Sequence, residues 1–290
     1  MLLLAATPYF SLCQTSSEKP KILYGKCSKD SLITGPFSNW FTPGYDSYKP
    51  AASVVHDLRN QYLDNISMKI FFGTWCGDSK REVPRFLKLL NSISFPEKKT
   101  ELIALGDSDS LYKQSPGHEE AGLGIFRVPT FIIYKNGVEL NRINEFPVNS
   151  LEKDLLEVLN GQLYSPNYRS FSKIKQWLND GSLLDENISI RGFAEQLRPM
   201  VAGEHELNSL GYVLLNQGKK KEALQVFRMN YLLFSESSNI ASSLGEGYYE
   251  TGDYKKAIHF LETSLELNKD PKAVKGIVEI LYKAKEKDKE

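Results

Sequence analysis

The chain has 290 residues, with 36 basic side chains balanced by 36 acidic ones, 41% hydrophobic residues and 25% charged. That length accommodates two compact domains, the neutral balance supplies no field that would draw nucleic acid or an anionic membrane, and the composition is that of a folded protein. The three cysteines, Cys13, Cys27 and Cys76, are too few for a disulfide-stapled scaffold and lack the paired spacing of a zinc site.

Residues 1–13 form an apolar run of signal-peptide length with small residues, Ser11 and Cys13, at the two positions that set cleavage. The expectation is cleavage after Cys13 and export, to a bacterial periplasm or out of the cell. No Lys or Arg precedes the run, so a start truncated or assigned wrongly and a buried amphipathic segment remain as alternatives. A lipoprotein signal fits poorly, because Phe10 and Leu12 stand in front of Cys13. Beyond this run no apolar stretch approaches about 20 residues, so no transmembrane segment is expected in the mature chain.

Residues 14–50 carry Pro20, Gly25, Gly35-Pro36, Pro43-Gly44 and Pro50, which predicts an extended arm with one short strand at 21–24, pinned to the next domain by Trp40 and Phe41. Val54, Val55, Leu58 and Tyr62 mark a helix over 51–63, and 68–72 is a short apolar strand. The strand runs into Gly73-Thr74-Trp75-Cys76. A helix should open just after Cys76, with Val83, Phe86, Leu87 and Leu90 on one face and a kink at Pro84.

A second buried strand is expected at 102–105, then a polar loop through Pro116, Gly117, Gly122 and Gly124, then a third strand at 131–134. Asn136-Gly137 signals a tight hairpin into an antiparallel strand over 138–143. Asn149 and Glu152 resemble a capping box for a helix that Gly161 ends, closing the domain near residue 162. A weaker pattern over 163–203 predicts a connector of two or three short helices. In 204–290 the sequence repeats at a period of 34: Leu210-Gly211 returns as Leu244-Gly245, Gly218 as Gly252, Ala223 as Ala257.

Strand, Trp75-Cys76-Gly77-Asp78-Ser79, kinked helix, Val128-Pro129-Thr130 leading into a strand, and the Lys135-Asn136-Gly137 hairpin together are similar to the thioredoxin family over residues 51–162. The joint spacing carries the likeness: Pro84 lies eight positions after Cys76, and Gly137 eight after Pro129. The resemblance implies an α/β domain, a central mixed sheet flanked by helices, followed here by an all-α helical-repeat tail. It also implies a cis Pro129 beside Cys76 and a substrate groove shaped by Trp75, Gly77, Asp78, Val128, Pro129 and Thr130.

A cysteine at a helix N-terminus faces unsatisfied N–H groups that favour the reactive thiolate. Lys80 and Arg81 add positive charge, while Asp78 opposes it. Two departures bear on mechanism: Ser79 replaces the family's second cysteine, and Ile70 stands where the family keeps a buried acid. A hydroxyl cannot resolve a mixed disulfide. Ser79 is expected to donate to the Cys76 sulfur, and release must come from the substrate's second thiol, an external thiol, or Cys27 as a resolving partner.

The tail resembles tetratricopeptide repeats, with units over 204–237 and 238–271 and a solvating helix over 272–285; Asn230 and Ser235 depart from the usual pattern. Tyr212, Phe227, Tyr231, Tyr248 and Leu261 read as inter-helix core, and the repeat surface as a site for a protein or peptide partner. His118, Glu119 and Glu120 read as solvated charges on a loop, and His56, His205 and His259 are assigned to no site. No metal and no cofactor is expected.

The sequence therefore supports a thiol-disulfide exchange protein, isomerase- or reductase-like on protein thiols and disulfides, with Cys76 as nucleophile. The alternative is a non-enzymatic docking protein with little redox activity. Glutathione-type chemistry on small mixed disulfides is a third reading, for which no pocket residues stand out.

Overall fold

The computed structural model describes residues 21–108, 111–268 and 270–289; the expected signal segment 1–13, with Cys13, and the start of the arm lie outside them. A mixed five-stranded sheet with helices makes the N-terminal half, and a helical tail follows. The sheet order is β1-β3-β2-β4-β5, with β1 at Gly25–Cys27, β2 at Ile66–Phe72, β3 at Thr100–Ala104, β4 at Thr130–Lys135 and β5 at Val138–Asn144. Only β2 and β3 are parallel. Asn136 and Gly137 both take positive φ, the geometry of the tight turn expected between β4 and β5.

Alternation along the strands divides the core. Met68, Ile70, Phe72, Leu102, Phe131 and Ile133 pack on one face against Val55 and Leu58 of α3 (Ala52–Arg59), Val83 and Phe86 of α4 (Gly77–Ser92), and Leu151 and Leu155 of α5 (Leu151–Leu159). Phe71, Ile103 and Ile132 face the other way, onto Leu105, Ile125 and Val128 of the long segment between β3 and β4. That segment has a second side. Its Phe126 joins the tail's core, edge-on to Phe171 with centroids 4.9 Å apart, so a single loop seals the sheet below and seats the tail above.

The arm differs from the expectation. Its strand is Gly25–Cys27, paired with β3, and instead of an extended lead it forms α1 (Asp30–Ile33) and α2 (Ser38–Ser47). Pro43-Gly44 lies inside α2 and is not a turn: a Cβ on Gly44 would come within 2.8 Å of Pro84 Cγ, so this glycine permits close approach of α2 to α4. Glu152 fastens the arm's end, accepting from Tyr48 Oη at 2.6 Å and Ala51 N–H at 3.1 Å. The cap of α5 is accordingly Ser150, whose hydroxyl accepts from Lys153 N–H, and not Asn149.

The connector forms α6 (Arg169–Asn179) and α7 (Ile190–Leu197); the tail forms α8 (Glu204–Asn216), α9 (Lys220–Leu233), α10 (Ser238–Glu250), α11 (Tyr254–Leu267) and α12 (Pro271–Lys287). The period of 34 has a packing cause. A Cβ on Gly211 would meet Phe227 at 2.3 Å, and one on Gly245 would meet Leu261 at 2.7 Å, the same contact one repeat later. Buried Glu206 of α8 accepts from Ser170 of α6 and from Ala202 N–H, which locks the connector to the first repeat helix. Among the described residues no helix is long and apolar enough to cross a membrane.

Candidate functional site

Cys76 is the N-cap of α4, with extended backbone (φ −83°, ψ 129°). The strand-to-helix turn is closed by Cys76 N–H donating to Gly73 O and Lys80 N–H donating to Cys76 O, both at 3.0 Å. The thiol is half-buried and unbridged, and it donates to Val128 O at 3.2 Å, the carbonyl immediately before the cis Val128–Pro129 bond. From this segment the sulfur's hydrogen-bond partner is the Val128 carbonyl. The Val128 side chain belongs to the sheet core, and Thr130 is buried with its hydroxyl donating to Arg127 O at 2.7 Å.

Around the sulfur, Trp75 lays its indole over the loop, donating to Leu105 O at 2.9 Å, and Gly77 begins the helix with open space where a Cβ would stand. Asp78 turns to Arg81, 2.8 Å away. Ser79 differs from the expectation: fully buried, it accepts from Gly73 N–H at 3.1 Å, and the partner of the Cys76 thiol is Val128 O instead.

Cys27 is not brought to Cys76. Its strand register sets it opposite Leu102, and it packs on the helix-covered face of the sheet, whereas Cys76 packs with the opposite face. Burial pushes the Cys27 thiol up to about 11, which suppresses the thiolate a resolving cysteine needs. Cys27 and Cys76 thus stand with opposite faces of the sheet.

The sulfur opens into a cleft of about 390 Å³ whose other wall is the tail. His205, Asn208, Ser209 and Tyr212 line it at helical spacing along one stripe of α8, facing Cys76, Lys113, Arg127 and Glu145. Lys113, 4% exposed, donates to Phe126 O at 2.9 Å and to Ser209 Oγ at 2.7 Å. Burial, reinforced by the like charge of Arg127, draws its ammonium down to about 7. Arg127 bridges the halves, donating to His205 O at 2.9 Å and lying 3.4 Å from Glu145 Oε1. Burial raises the Glu145 carboxyl against the pull of Arg127.

The sequence pattern does not single out Lys113, Arg127, Glu145 or His205 as site residues, and it assigns Tyr212 to core. In the fold Tyr212 lines the cleft and donates to Glu246 Oε2 at 2.8 Å. A usable signal was there: polar residues at 205, 208, 209, 212 and 216 keep a helical stripe where a repeat helix would bury apolar ones. His118 and Glu120 hold a loop together: Glu120 is buried and accepts from Ser115 N–H and Oγ.

Residues 242–271 match the tetratricopeptide repeat family, so the tail carries such a repeat across α10 and α11, an element suited to docking another protein. No curated protein and no solved structure matches the chain.

Proposed function

We propose that this is a thioredoxin-like thiol-disulfide exchange protein acting through Cys76, with the repeat tail recruiting its protein partner. The observation that carries the reading is the placement of a half-exposed, unbridged thiol at the first turn of α4, against the carbonyl before a cis proline and at the floor of an open cleft. The Cys76 thiolate attacks one sulfur of a substrate disulfide; the new S–S bond forms as the old one breaks, and its electron pair leaves with the second sulfur as thiolate. A substrate thiolate then attacks the mixed disulfide at the substrate's own sulfur and expels the Cys76 thiolate. No net electrons pass, which makes the cycle an isomerisation. The apolar run at 1–13 supports export, where substrate disulfides persist.

The test is recovery of native activity by a scrambled-disulfide protein. Wild type should accelerate recovery and Cys76→Ser should not; equal rates for the two would sink the exchange reading. One observation favours the alternative of a docking protein without exchange: neither buried Ser79 nor distant Cys27 offers a second thiol. In that case Cys76→Ser leaves partner binding intact.

A further inference from the structure

We propose that the cleft at Cys76 is selective for a protein disulfide with an acidic residue beside it, and that Lys113 is the residue that receives the carboxylate. The inference rests on the reading of Cys76 as the reacting group.

Two cationic side chains, Lys113 and Arg127, and one acid, Glu145, line the cleft, with His205 as a further basic group. The pairing is uneven. Glu145 lies 3.4 Å from Arg127, and Asp78 at the start of α4 lies 2.8 Å from Arg81. Lys113 is 4% exposed, and its hydrogen bonds go to two neutral oxygens, Phe126 O and Ser209 Oγ. Among the described residues no carboxylate comes within ion-pair distance of its Nζ. An ammonium has three donors. Besides those two oxygens Nζ has the Tyr112 ring, 4.8 Å away at its centroid, a weaker partner than a carboxylate.

A buried charge without a counter-ion is costly, and a carboxylate entering the cleft supplies the missing one. Lys113 and Cys76 line the same cleft and stand within electrostatic reach of each other, so one short substrate segment can meet both. A basic segment would be repelled by Lys113 and Arg127, and a neutral one leaves Lys113 as it was.

Binding is then coupled to a proton. Burial draws the Lys113 ammonium down to about 7, and a carboxylate held about tenfold tighter by the charged form moves that value up by about one unit. Selectivity is therefore present below pH 7 and lost as pH rises above 8. The neighbouring groups do not imitate this. Burial pushes the phenols of Tyr112 and Tyr212 up, away from this window, and Arg127 stays charged through it. Glu145, raised by burial, gains negative charge as it titrates, and His205 on α8 is largely exposed.

The experiment mixes reduced full-length protein with the disulfide-linked dimers of acetyl-Cys-Glu-amide, acetyl-Cys-Gln-amide or acetyl-Cys-Lys-amide. The Cys76 thiolate attacks one sulfur; its bond to that peptide forms as the peptide-peptide S–S bond breaks, and the other peptide leaves as thiolate, with no net electrons passed. Mass spectrometry of the Cys76 adduct gives the rates, each divided by that of a small neutral thiol. The ratio of glutamate to glutamine dimer cancels the thiolate content of Cys76. It should be about tenfold near pH 6.5, fall close to one by pH 9, and shrink with added salt. It should be absent in Lys113→Gln protein whose thermal melt matches wild type, and kept in His205→Gln. A ratio near one at pH 6.5, a ratio that persists at pH 9 or in Lys113→Gln, or its loss in His205→Gln would overturn the assignment. A pH-stat titration of Cys76→Ser protein at pH 8 tests the site without exchange: the glutamate dimer should take up about half a proton per bound ligand, and no uptake would overturn the site. Reaction without preference refutes this selectivity and spares the exchange reading. No reaction with any dimer sinks the exchange reading, and proton uptake alone then decides the carboxylate site.

Discussion

Lys113 Nζ donates to Ser209 Oγ at 2.7 Å, a buried cation on the loop over the sheet held by a hydroxyl from the first helix of the tail. Its hydrogen bonds go to neutral acceptors, Ser209 Oγ and Phe126 O, while Arg127 repels it. Unfolded, this lysine keeps its proton up to its ordinary value of 10.5; folded, it keeps it only up to about 7. Between those values the unfolded chain binds more protons, so this group makes folding stability rise with pH across that window. Relative to Lys113→Met, wild type should gain on the order of a few kcal/mol between pH 7 and 10. Urea melts of both proteins at the two ends measure it, and parallel pH profiles would exclude a depressed Lys113.

The repeat glycines and the glycine of the last helix should respond to alanine with opposite sign. Gly211→Ala and Gly245→Ala drive a methyl group into Phe227 and Leu261, and each should cost about 1–3 kcal/mol of overpacking. Gly276, inside α12, has nothing within 4 Å of a new Cβ, so Gly276→Ala should stabilise by about 0.5–1 kcal/mol through helix propensity. Denaturant midpoints with unchanged slopes would establish all three.

Glu152 ties the arm to the body through two hydrogen bonds, from Tyr48 Oη and Ala51 N–H. Glu152→Ala should cost about 1–3 kcal/mol, because two part-buried donors lose their acceptor. Tyr48→Phe removes one of the bonds and should cost less. Native-state hydrogen exchange should localise the loss to the arm and α5; a loss spread evenly over the tail would contradict this attachment.

Elements set by local pattern were legible in the sequence, and contacts across the chain were not. Strand β2, the Asn136-Gly137 turn and the α4 start at Cys76 follow from apolar runs and turn chemistry within a few residues. The helix at Ser38–Ser47 was hidden because Pro43-Gly44 has the composition of a turn, and only the approach of Pro84, forty residues on, explains the glycine. The site divided the same way. Cys76 announces itself by its neighbours, but Lys113, Arg127 and Glu145 become a cluster only when α8 closes over them. A polar stripe on one helix reads as solvated surface until its partner surface is known.

The two described cysteines should differ sharply in reactivity. Both thiols are half-buried, Cys76 at the floor of an open cleft and Cys27 on β1 beside a pocket of about 290 Å³, but burial lifts the Cys27 thiol to about 11. Near pH 8 only about one Cys27 in a thousand is then thiolate in the native state, and iodoacetamide attacks thiolate alone. Native protein should therefore be alkylated at Cys76 first, and at Cys27 only when denatured or near pH 11. Peptide mass mapping of a time course reads both sites in one sample. Comparable rates at the two positions would mean that the Cys27 thiol is not raised in the native state, which would leave its thiolate available as a resolving partner. Slow alkylation at both would take away the exposed sulfur on which the exchange reading depends.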